Sequence, residues 1–476
     1  MLAFSVAVVL RAIPEILAGR YPVGFDVTAA YPLLITSFPS ESFVMMLGQA
    51  PLFYALMYSI YAISGIDIYT LLKATGPVLY GGLSFSFLFF LNRFLKFSVF
   101  KSFVGTLLFV FQPITLRISW DMFHNELGLV LMFLTLGVIG TSWSHKRLLV
   151  VALGILTVLA HPIAAVLLFT VAIGKSSAGG LSTANLRQLV TLTPAFGLFI
   201  AALWAFYQPA ADSRVIFLAP NPSASSPSIL QNVYRDDFRF IGVSYWVIPA
   251  YVGMLFIVSF APLLPLATKG VLHEPSMTWL TGLLAIGSFS VIAFPYESIP
   301  WYYRWEMLLV IPLAVFAVHG VEKMSLFLHS NRRYLIGLVL GFLVVATGYS
   351  SGFVSYMGVY GVNSFAPATM VQSSIAPSHI DDTLTSLKWL NVNSPKDSYL
   401  LMDERFLSFG YLTLRKDFRL VTEPGGLPFR DATERISVFH PSALYLVWDS
   451  QVTIPGYSLA HSGSYTWIYR YDGRLS

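Results

Sequence analysis

Long apolar runs recur along the first three quarters of the chain, separated by short polar turns. Each run is roughly 18–20 residues long, which as a helix crosses a hydrocarbon core of about 30 Å. We place about eleven spans, near residues 1–18, 74–93, 100–118, 125–141, 147–160, 162–174, 188–207, 246–267, 277–294, 305–322 and 334–355. Because a helix satisfies its own backbone hydrogen bonds in lipid, this pattern predicts a polytopic α-helical membrane protein.

The apolar stretch 42–67 differs from the others, since Gln49, Pro51 and several tyrosines interrupt it. If it lies along the membrane surface, the later basic loops all fall on one face: NRFLKFSVFK, SHKR, KSSAGGLSTANLRQ, TKG and EKMSLFLHSNRR. The positive-inside rule makes that face cytoplasmic. We therefore expect interfacial helices in the first outer loop, about 20–73, and a cytoplasmic N-terminus.

The C-terminal quarter is more polar and follows a stretch rich in Gly, Ser and Pro. We interpret residues 357–380 as a linker between a membrane domain, 1–356, and a separate domain, 381–476. Leu384, Leu387 and Leu390 have helical spacing, and the runs SYLLMD, FRLVT, ALYLVW and TWIYRY after them are typical of strands. The pattern predicts a small extracytoplasmic α/β domain.

Composition agrees with a protein of the cell membrane. The 476 residues are 56% hydrophobic and 11% charged, whereas soluble proteins carry about 25% charged residues. The net charge of +5 is spread through short loops, which indicates membrane orientation rather than a nucleic-acid partner. The absence of cysteine excludes disulfides, thiolate chemistry and Cys-ligated zinc. Arg11 and Glu15 stand four apart on the first span and can neutralise each other.

Ionisable residues gather on the predicted outer face. Charge is costly in lipid, so acids at the outer ends of several helices indicate a functional site. The acids are Asp26, Asp121, Glu126 and Glu297, and the potential cations are Arg117, His124, His161 and Arg304.

The stretch GRYPVGFDVTAAYP carries Asp26 between tyrosines and prolines. A carboxylate beside apolar surface is partly desolvated and can act as a general base. The alternatives are a loop acid that pairs with Arg20 or caps the next helix.

The stretch LRISWDMFHNELG places Asp121 near the start of a predicted span, where the helix dipole favours an acid. Asp121 and Asn125 are one helical turn apart and could face one cavity, with His124 beside them. A helix cap and a catalytic or metal-organising role both fit. The Asp-x-x-His spacing alone is a weak metal signal, so the sequence leaves a divalent metal ion open.

The stretch PYESIPWYYRWEMLL places Arg304 at the outer mouth of a late span. A guanidinium suits a phosphate, and aromatics such as Tyr303 can stack on a sugar or a lipid. An interfacial Arg within an aromatic belt, or one that pairs with Glu297 or Glu306, is the alternative. His161, in LAHPIAA, lies where a short helix turns back.

In order along the chain, RAIPEILAGRYPVGFDVTAAYP, QAPLFYALMYSIY, SWDMFHNELGL and YYRWEMLLVIPLAVFAVHG resemble the integral-membrane glycosyltransferases of the C superfold (GT-C). That group includes protein mannosyltransferases, aminoarabinose transferases and oligosaccharyltransferase catalytic subunits, and the likeness is strongest to archaeal members. It implies a sugar donor on polyprenyl (dolichyl) phosphate and a lipid, glycan or protein acceptor reached from the outer face.

The resemblance also implies roles for residues. Asp26 matches the essential acid of the family's first outer loop, and Asp121, with His124 and Asn125 nearby, matches a second polar cluster. Arg304 matches an arginine that faces the donor phosphate. Arg117, His161, Tyr303 and Glu297 are further candidates for substrate binding.

Two departures narrow the expectation. The Trp-Trp-Asp-Tyr-Gly signature of oligosaccharyltransferases is absent, and the comparable place reads ERFLSFGYL, which disfavours oligosaccharide transfer to asparagine. Asp26 is followed by Val27, which argues against a two-carboxylate metal site in that loop. An oligosaccharyltransferase-like or polysaccharide-modifying enzyme, a lipid or solute transporter, and a non-catalytic scaffold remain as alternatives.

Overall fold

The computed structural model describes most of the chain: residues 1–48, 50–178, 183–206, 215–217, 247–261, 263–268, 270, 274–293, 302–327, 332–353, 367–422, 433, 436 and 439–473. These residues form two compact units. The membrane unit takes its described residues from 1–17, 38–206 and 247–371. The α/β unit takes them from 18–37, 215–217 and 372–473. Glu297 and the first part of the predicted linker, 357–366, lie outside the described residues.

Helices make up the membrane unit. In chain order they are α1 (Leu2–Leu17), α3 (Phe43–Gly48), α4 (Leu52–Ser64), α5 (Ile68–Arg93), α6 (Val99–Val110), α7 (Pro113–Asp121), α8 (Phe123–Ile139), α9 (Lys146–Ala160), α10 (Pro162–Ala178), α11 (Thr183–Thr191), α12 (Thr193–Phe206), α13 (Val247–Phe260), α14 (Leu264–Ala267), α15 (Pro275–Ala293), α16 (Tyr302–Leu308), α17 (Val310–Phe327) and α18 (Arg332–Ser350). The helix α2 (Ala30–Ser37) belongs to the α/β unit.

Two helical segments among the described residues are long and apolar enough to cross a membrane, Ile68–Arg93 and Tyr302–Glu322. They correspond to the spans predicted near 74–93 and 305–322. Five shorter apolar helices lie at Leu52–Ser64, Phe123–Ile139, Pro162–Ala178, Thr193–Phe206 and Ile336–Ser350. The chain is therefore a predominantly helical membrane protein.

The stretch predicted as one span near 100–118 is apolar enough to span but is broken rather than a continuous helix. Residues Val99–Val110 and Pro113–Asp121 form two helices bent by 67°. Gln112 is extended and Pro113 occupies the first turn of α7. Proline has no N–H and a fixed φ, so it begins a helix well but cannot continue one. The bend turns α7 away from the direction of α6.

The core of the membrane unit is aromatic where α5, α6 and α8 meet. Phe87 stacks on Phe109 with ring centroids 4.2 Å apart, and Phe133 lies 5.0 Å from Phe87 and 5.2 Å from Phe90. All four side chains are fully buried. Gly140, which follows the last residue of α8, lies directly against α5. A Cβ at this position would lie 2.1 Å from the Arg93 carbonyl oxygen, so only glycine allows this close approach. Close packing of aromatic faces thus holds these three helices together.

A six-stranded sheet organises the α/β unit. The strands are β1 (Val215–Phe217), β2 (Tyr399–Met402), β3 (Arg419–Thr422), β4 (Leu444–Trp448), β5 (Tyr457–Ser462) and β6 (Trp467–Tyr471), in the order β1-β3-β2-β4-β6-β5. The first four are parallel, whereas β6 is antiparallel to β4 and β5. Residues 400–402 of β2 are fully buried, as expected for a strand covered on both faces.

The sheet confirms the four predicted strands and adds two. The helices α19 (Ile380–Asn393) and α20 (Glu404–Thr413) belong to this unit, and α20 connects the parallel strands β2 and β3. The strand β1 lies between the predicted spans 188–207 and 246–267, in a segment that the sequence assigned to a loop. Residues 18–37 also belong here, although the sequence placed them with the interfacial helices.

Asp382, in the first turn of α19, holds the turn between β5 and β6. Its carboxylate accepts backbone N–H groups of Ser464 at 2.8 Å, Tyr465 at 3.1 Å and Thr466 at 2.8 Å. Burial raises the pKa of Asp382, but the hydrogen bonds to its charged form together lower the pKa by more than burial raises it. The net pKa of Asp382 therefore lies below its usual value.

We expect Asp382→Ala to lower the free energy of unfolding of the α/β unit by about 2 kcal/mol, because three N–H groups lose a charged acceptor. The folded pKa lies below the unfolded value of about 3.9, so this contribution is present above pH ~4. It is lost as pH falls through the folded pKa. Thermal unfolding at pH 7 and pH 3 measures it. An equal difference between wild type and variant at both pH values would contradict the assignment.

Candidate active site

Arg117 and Asp121 form a buried ion pair on one face of α7. They stand four residues apart, and their side chains are 3% and 9% exposed. The Arg117 guanidinium also lies over the Trp120 ring, 4.9 Å from its centroid. Two predicted site residues are thus already paired with each other.

Asp121 lies near the start of α8, as expected, but it does not cap that helix. Asp121 is the last residue of α7, and Met122, with φ −106° and ψ 51°, separates it from α8. Met122 rather than Asp121 precedes α8, and no side chain caps that helix. The break also separates Asp121 from Asn125, so the two do not share one helical turn. An acid at a helix C-terminus opposes the dipole, and Arg117 offsets this cost.

His124 and His161 lie together, with ring centroids 5.1 Å apart. The His124 ring is 6.2 Å from that of Tyr54 on α4. His161 lies between α9 and α10, and its Nδ1 accepts the Ile163 N–H at 3.2 Å. The expected turn of the chain at His161 is therefore confirmed.

Arg304 belongs to the same cluster. It acts electrostatically on both His124 and His161. Its guanidinium lies 6.0 Å from the centroid of the neighbouring Tyr303 ring. Helix α16, which carries Arg304, contacts α7, which carries Arg117 and Asp121.

Seven predicted residues therefore lie on α7, α8 and α16 or at the turn between α9 and α10 of the membrane unit. They are Arg117, Asp121, His124, Asn125, His161, Tyr303 and Arg304. Asn125 is 1% exposed, and its Oδ1 has no hydrogen-bond partner among the described residues. A buried amide oxygen without a partner is costly, so it is available to a ligand that brings a donor.

The sequence did not predict how deeply some charges lie. Arg11 and Glu15 pair at 2.8 Å as expected, but their side chains are only 0% and 3% exposed. Arg11 Nε also donates to the Ser119 carbonyl at 3.1 Å, and Lys73 donates to the Glu15 carbonyl. The i, i+4 spacing of Arg11 and Glu15 was visible in the sequence, whereas Lys73 had no signal because its partner is a backbone oxygen.

Glu126 and Glu306 are fully buried in the membrane unit. Their carboxylate oxygens have no hydrogen-bond partner within the described part of the chain. The alternative in which Arg304 pairs with Glu306 is thus not realised in the described part of the chain. An acid within an apolar helical run was the signal for Glu306, and a buried acid in a membrane helix is a candidate for function.

Asp26 lies in the α/β unit, on a half-buried turn between buried neighbours. Val23 and Val27 are fully buried, whereas Asp26 itself is partly exposed. Its backbone carbonyl accepts the Tyr31 N–H at 2.9 Å. Gly24 has φ 132°, a conformation that a side chain would strain, and therefore allows the turn before Asp26.

The C-terminal part of the chain holds this turn from several sides. The Gly24 N–H donates to the Gln372 carbonyl at 3.1 Å. Thr28 Oγ1 and Ser374 Oγ are 3.4 Å apart. The Tyr21 hydroxyl donates to Asp381 at 2.5 Å, and Arg20 pairs with the same carboxylate at 3.2 Å. Arg20 therefore pairs with Asp381, not with Asp26 as one alternative interpretation of that acid required.

No three His, Asp or Glu side chains of the described residues lie together as metal ligands. The Arg117–Asp121 ion pair also occupies the acid that the sequence offered as a metal organiser. Within the described residues, the arrangement therefore does not form a metal centre.

Comparison with solved structures identifies the class of fold. The arabinofuranosyltransferase AftD from Mycobacteria matches with a TM-score of 0.52 and 10% identity, over 99% of this chain and 41% of that one. The Archaeoglobus fulgidus oligosaccharyltransferase, in a complex with Zn and sulfate, matches with a TM-score of 0.53 and 12% identity, over 94% of this chain and 68% of that one. The chain thus has the fold of the GT-C superfold.

The comparisons reach no further than the fold. The chain spans less than half the length of AftD. No protein-family model matches it, and no curated protein matches it.

We expect Asp381→Asn to loosen the turn that carries Asp26. The substitution weakens the bonds from Tyr21 and Arg20, which at this exposed position are together worth about 1 kcal/mol. Hydrogen exchange of backbone amides in residues 20–28 should therefore speed up about fivefold. Asp397→Asn is the matched control, since it changes an acid elsewhere in the same unit. Equal exchange in residues 20–28 for both variants would contradict the anchoring role of Asp381.

Proposed function

We propose that the protein is a glycosyltransferase that moves a sugar from a polyprenyl (dolichyl) phosphate carrier to an acceptor on the extracytoplasmic face. The GT-C fold over nearly the whole chain carries this proposal, because the two solved structures compared above are glycosyltransferases. The cluster around Arg304 and the partly exposed Asp26 supply the residue types that the chemistry needs.

The proposed reaction inverts the sugar's anomeric centre. An acceptor oxygen attacks C1, the bond from C1 to the phosphate oxygen breaks, and the acceptor's proton passes to the Asp26 carboxylate. The transition state is oxocarbenium-like, and a single carboxylate on the face opposite the leaving group suffices for this route. The phosphate leaves as a stable anion and needs no strong general acid.

Arg304 is the proposed partner of the departing phosphate. A guanidinium is permanently charged and can bind two phosphate oxygens at once. A cation placed where negative charge develops stabilises the transition state. The Tyr303 ring beside it gives a surface on which a sugar or a prenyl chain can pack.

The remaining residues have supporting roles in this proposal. Asp121 holds Arg117 in a fixed orientation and neutralises its charge. A second cation can therefore lie in the membrane unit without an uncompensated charge. His124, Asn125 and His161 offer hydrogen bonds to donor hydroxyls. Glu297 remains a proposed binding residue of the outer turn before α16.

An oligosaccharyltransferase-like activity is the second candidate, because one of the structures compared above is an oligosaccharyltransferase. The place of the missing signature, ERFLSFGYL, forms α20, which connects two parallel strands of the sheet. This segment contains no tryptophan and lacks the aspartate of the signature, which an asparagine acceptor would need. We therefore favour transfer of a single sugar from a lipid phosphate.

The catalytic proposal is tested with Asp26→Asn in membranes supplied with radiolabelled polyprenyl-phosphate sugars. Loss of a positioned general base should lower transfer by at least about 100-fold. Glu41→Gln, an acid of the same outer loop, is the matched control. Size-exclusion and thermal unfolding profiles like those of wild type establish that the variant is folded. Full transfer by folded Asp26→Asn would remove the base assignment.

Arg304→Ala should weaken use of the donor rather than stability. Loss of one charged contact to phosphate is worth about 1.5–3 kcal/mol, or roughly a 10- to 100-fold fall in kcat/KM for the donor. Arg93→Ala, which changes an exposed arginine of α5, should leave kcat/KM unchanged. If both variants retain wild-type donor kinetics, the phosphate role passes from Arg304 to another arginine such as Arg117.

A further inference from the structure

A basic pocket lies in the membrane unit where α9 and α11 approach each other. It encloses about 200 Å³ and is lined by Lys146, Arg147, Arg187, Gln188 and Thr191, with the buried Val150 among its apolar residues. Three of these side chains are cationic, and none of the described residues that line the pocket is an acid. None of these residues belongs to the candidate active site.

The positive charge of this pocket is uncompensated. Arg147 and Arg187 make no ion pair among the described residues, and Lys146 donates only to the Thr141 carbonyl, at 3.0 Å. Lys146 and Arg147 also begin α9, whose first turn has no acid and no side-chain cap. The positive end of the helix dipole adds to the positive charge there. An anion would relieve the repulsion among these groups.

Exposed apolar side chains lie within three residues of the pocket-lining residues along the chain. Trp143 is 52% exposed, Leu148 72%, Leu186 55% and Val190 57%. A tryptophan beside basic residues, flanked by exposed aliphatic groups, is typical of the headgroup level of a membrane. The charge pattern of the loops predicts that this level is on the cytoplasmic side, where anionic lipids concentrate.

We propose that the pocket binds a phosphate-bearing anion, namely the headgroup of an anionic phospholipid at the inner membrane surface. The pocket is smaller than the roughly 300–1,000 Å³ of sites for drug-sized ligands, which suits a headgroup rather than a whole nucleotide sugar. Basic pockets between membrane helices on this side bind such headgroups. The proposal is independent of glycosyl transfer.

The test measures lipid binding to the detergent-purified full chain by native mass spectrometry. Wild type, Arg147→Gln and Arg187→Gln are titrated with phosphatidylglycerol and with phosphatidylcholine. The control is Arg93→Gln, an identical chemical change at an exposed arginine outside the pocket. A second arm repeats the phosphatidylglycerol titration with inorganic phosphate as competitor. Thermal unfolding without lipid, and Arg187→Lys, which keeps the charge, separate loss of binding from loss of folding.

We expect wild type to prefer phosphatidylglycerol to phosphatidylcholine, and each pocket variant to raise the Kd for phosphatidylglycerol about tenfold. Arg93→Gln and Arg187→Lys should retain binding within about twofold. If inorganic phosphate does not displace phosphatidylglycerol, the result supports a lipid headgroup as the ligand. If it does displace phosphatidylglycerol, the pocket is a phosphate site whose ligand is soluble, which contradicts the lipid part of the proposal. The proposal would be overturned if Arg187→Gln and Arg93→Gln weakened phosphatidylglycerol binding equally. It would also be overturned if neither phosphatidylglycerol nor inorganic phosphate bound.

Discussion

The buried ion pair of Arg11 and Glu15 is the constraint on which the membrane unit depends. Neither side chain reaches solvent, so each charge must be neutralised within the protein. Arg11 also binds the Ser119 carbonyl of α7, and Lys73 of α5 binds the Glu15 carbonyl. Arg11 and Glu15 thus connect α1 to α7 and α5. Removing one partner of such a pair costs about 3–5 kcal/mol, because the other charge stays buried.

The same network orients the candidate site. Ser119 lies between Arg117 and Asp121 on α7, so the bond from Arg11 fixes the short helix that carries both. The bend before Pro113 and the break at Met122 leave α7 as an isolated helix of nine residues. A short helix between two breaks has little stability of its own and depends on such contacts. Buried charge in α1 is thereby connected to the geometry of the polar cluster.

The α/β unit gives the loop of Asp26 a comparable support. Residues 20–28 are short of regular structure, yet backbone and side-chain bonds attach them to residues 372–381. A base must keep a fixed position to be effective, since loose geometry loses much of the benefit of proximity. Residues 372–381 thus hold the turn that carries Asp26.

Much of the fold follows from local patterns in the sequence. Apolar runs predicted α5 and the helix at Tyr302–Glu322, and alternating or continuous β-branched and aromatic runs predicted β2, β3, β4 and β6. The i, i+4 spacing predicted the pairing of Arg11 with Glu15. These features depend on neighbours within one turn or one strand, which a sequence displays directly.

Long-range contacts were not predictable in this way. Arg20 pairs with Asp381 rather than with Asp26, and β1 joins a sheet whose other strands lie about two hundred residues further on. Asp121 ends a helix because Pro113 and Met122 break an apolar run whose composition is continuous. Tertiary packing decides such outcomes, and hydrophobicity alone does not report it. The roles of Asp26 and Arg304 follow from family resemblance and from chemistry.

The most direct test of the central claim is a cryo-EM structure of the full chain in a lipid nanodisc with a bound polyprenyl-phosphate sugar. The account predicts that the donor phosphate contacts Arg304, and that the Asp26 carboxylate lies on the same membrane face, opposite the phosphate across the sugar's C1. Asp26 and Arg304 on opposite faces of the bilayer, or a donor phosphate bound away from Arg304, would contradict it.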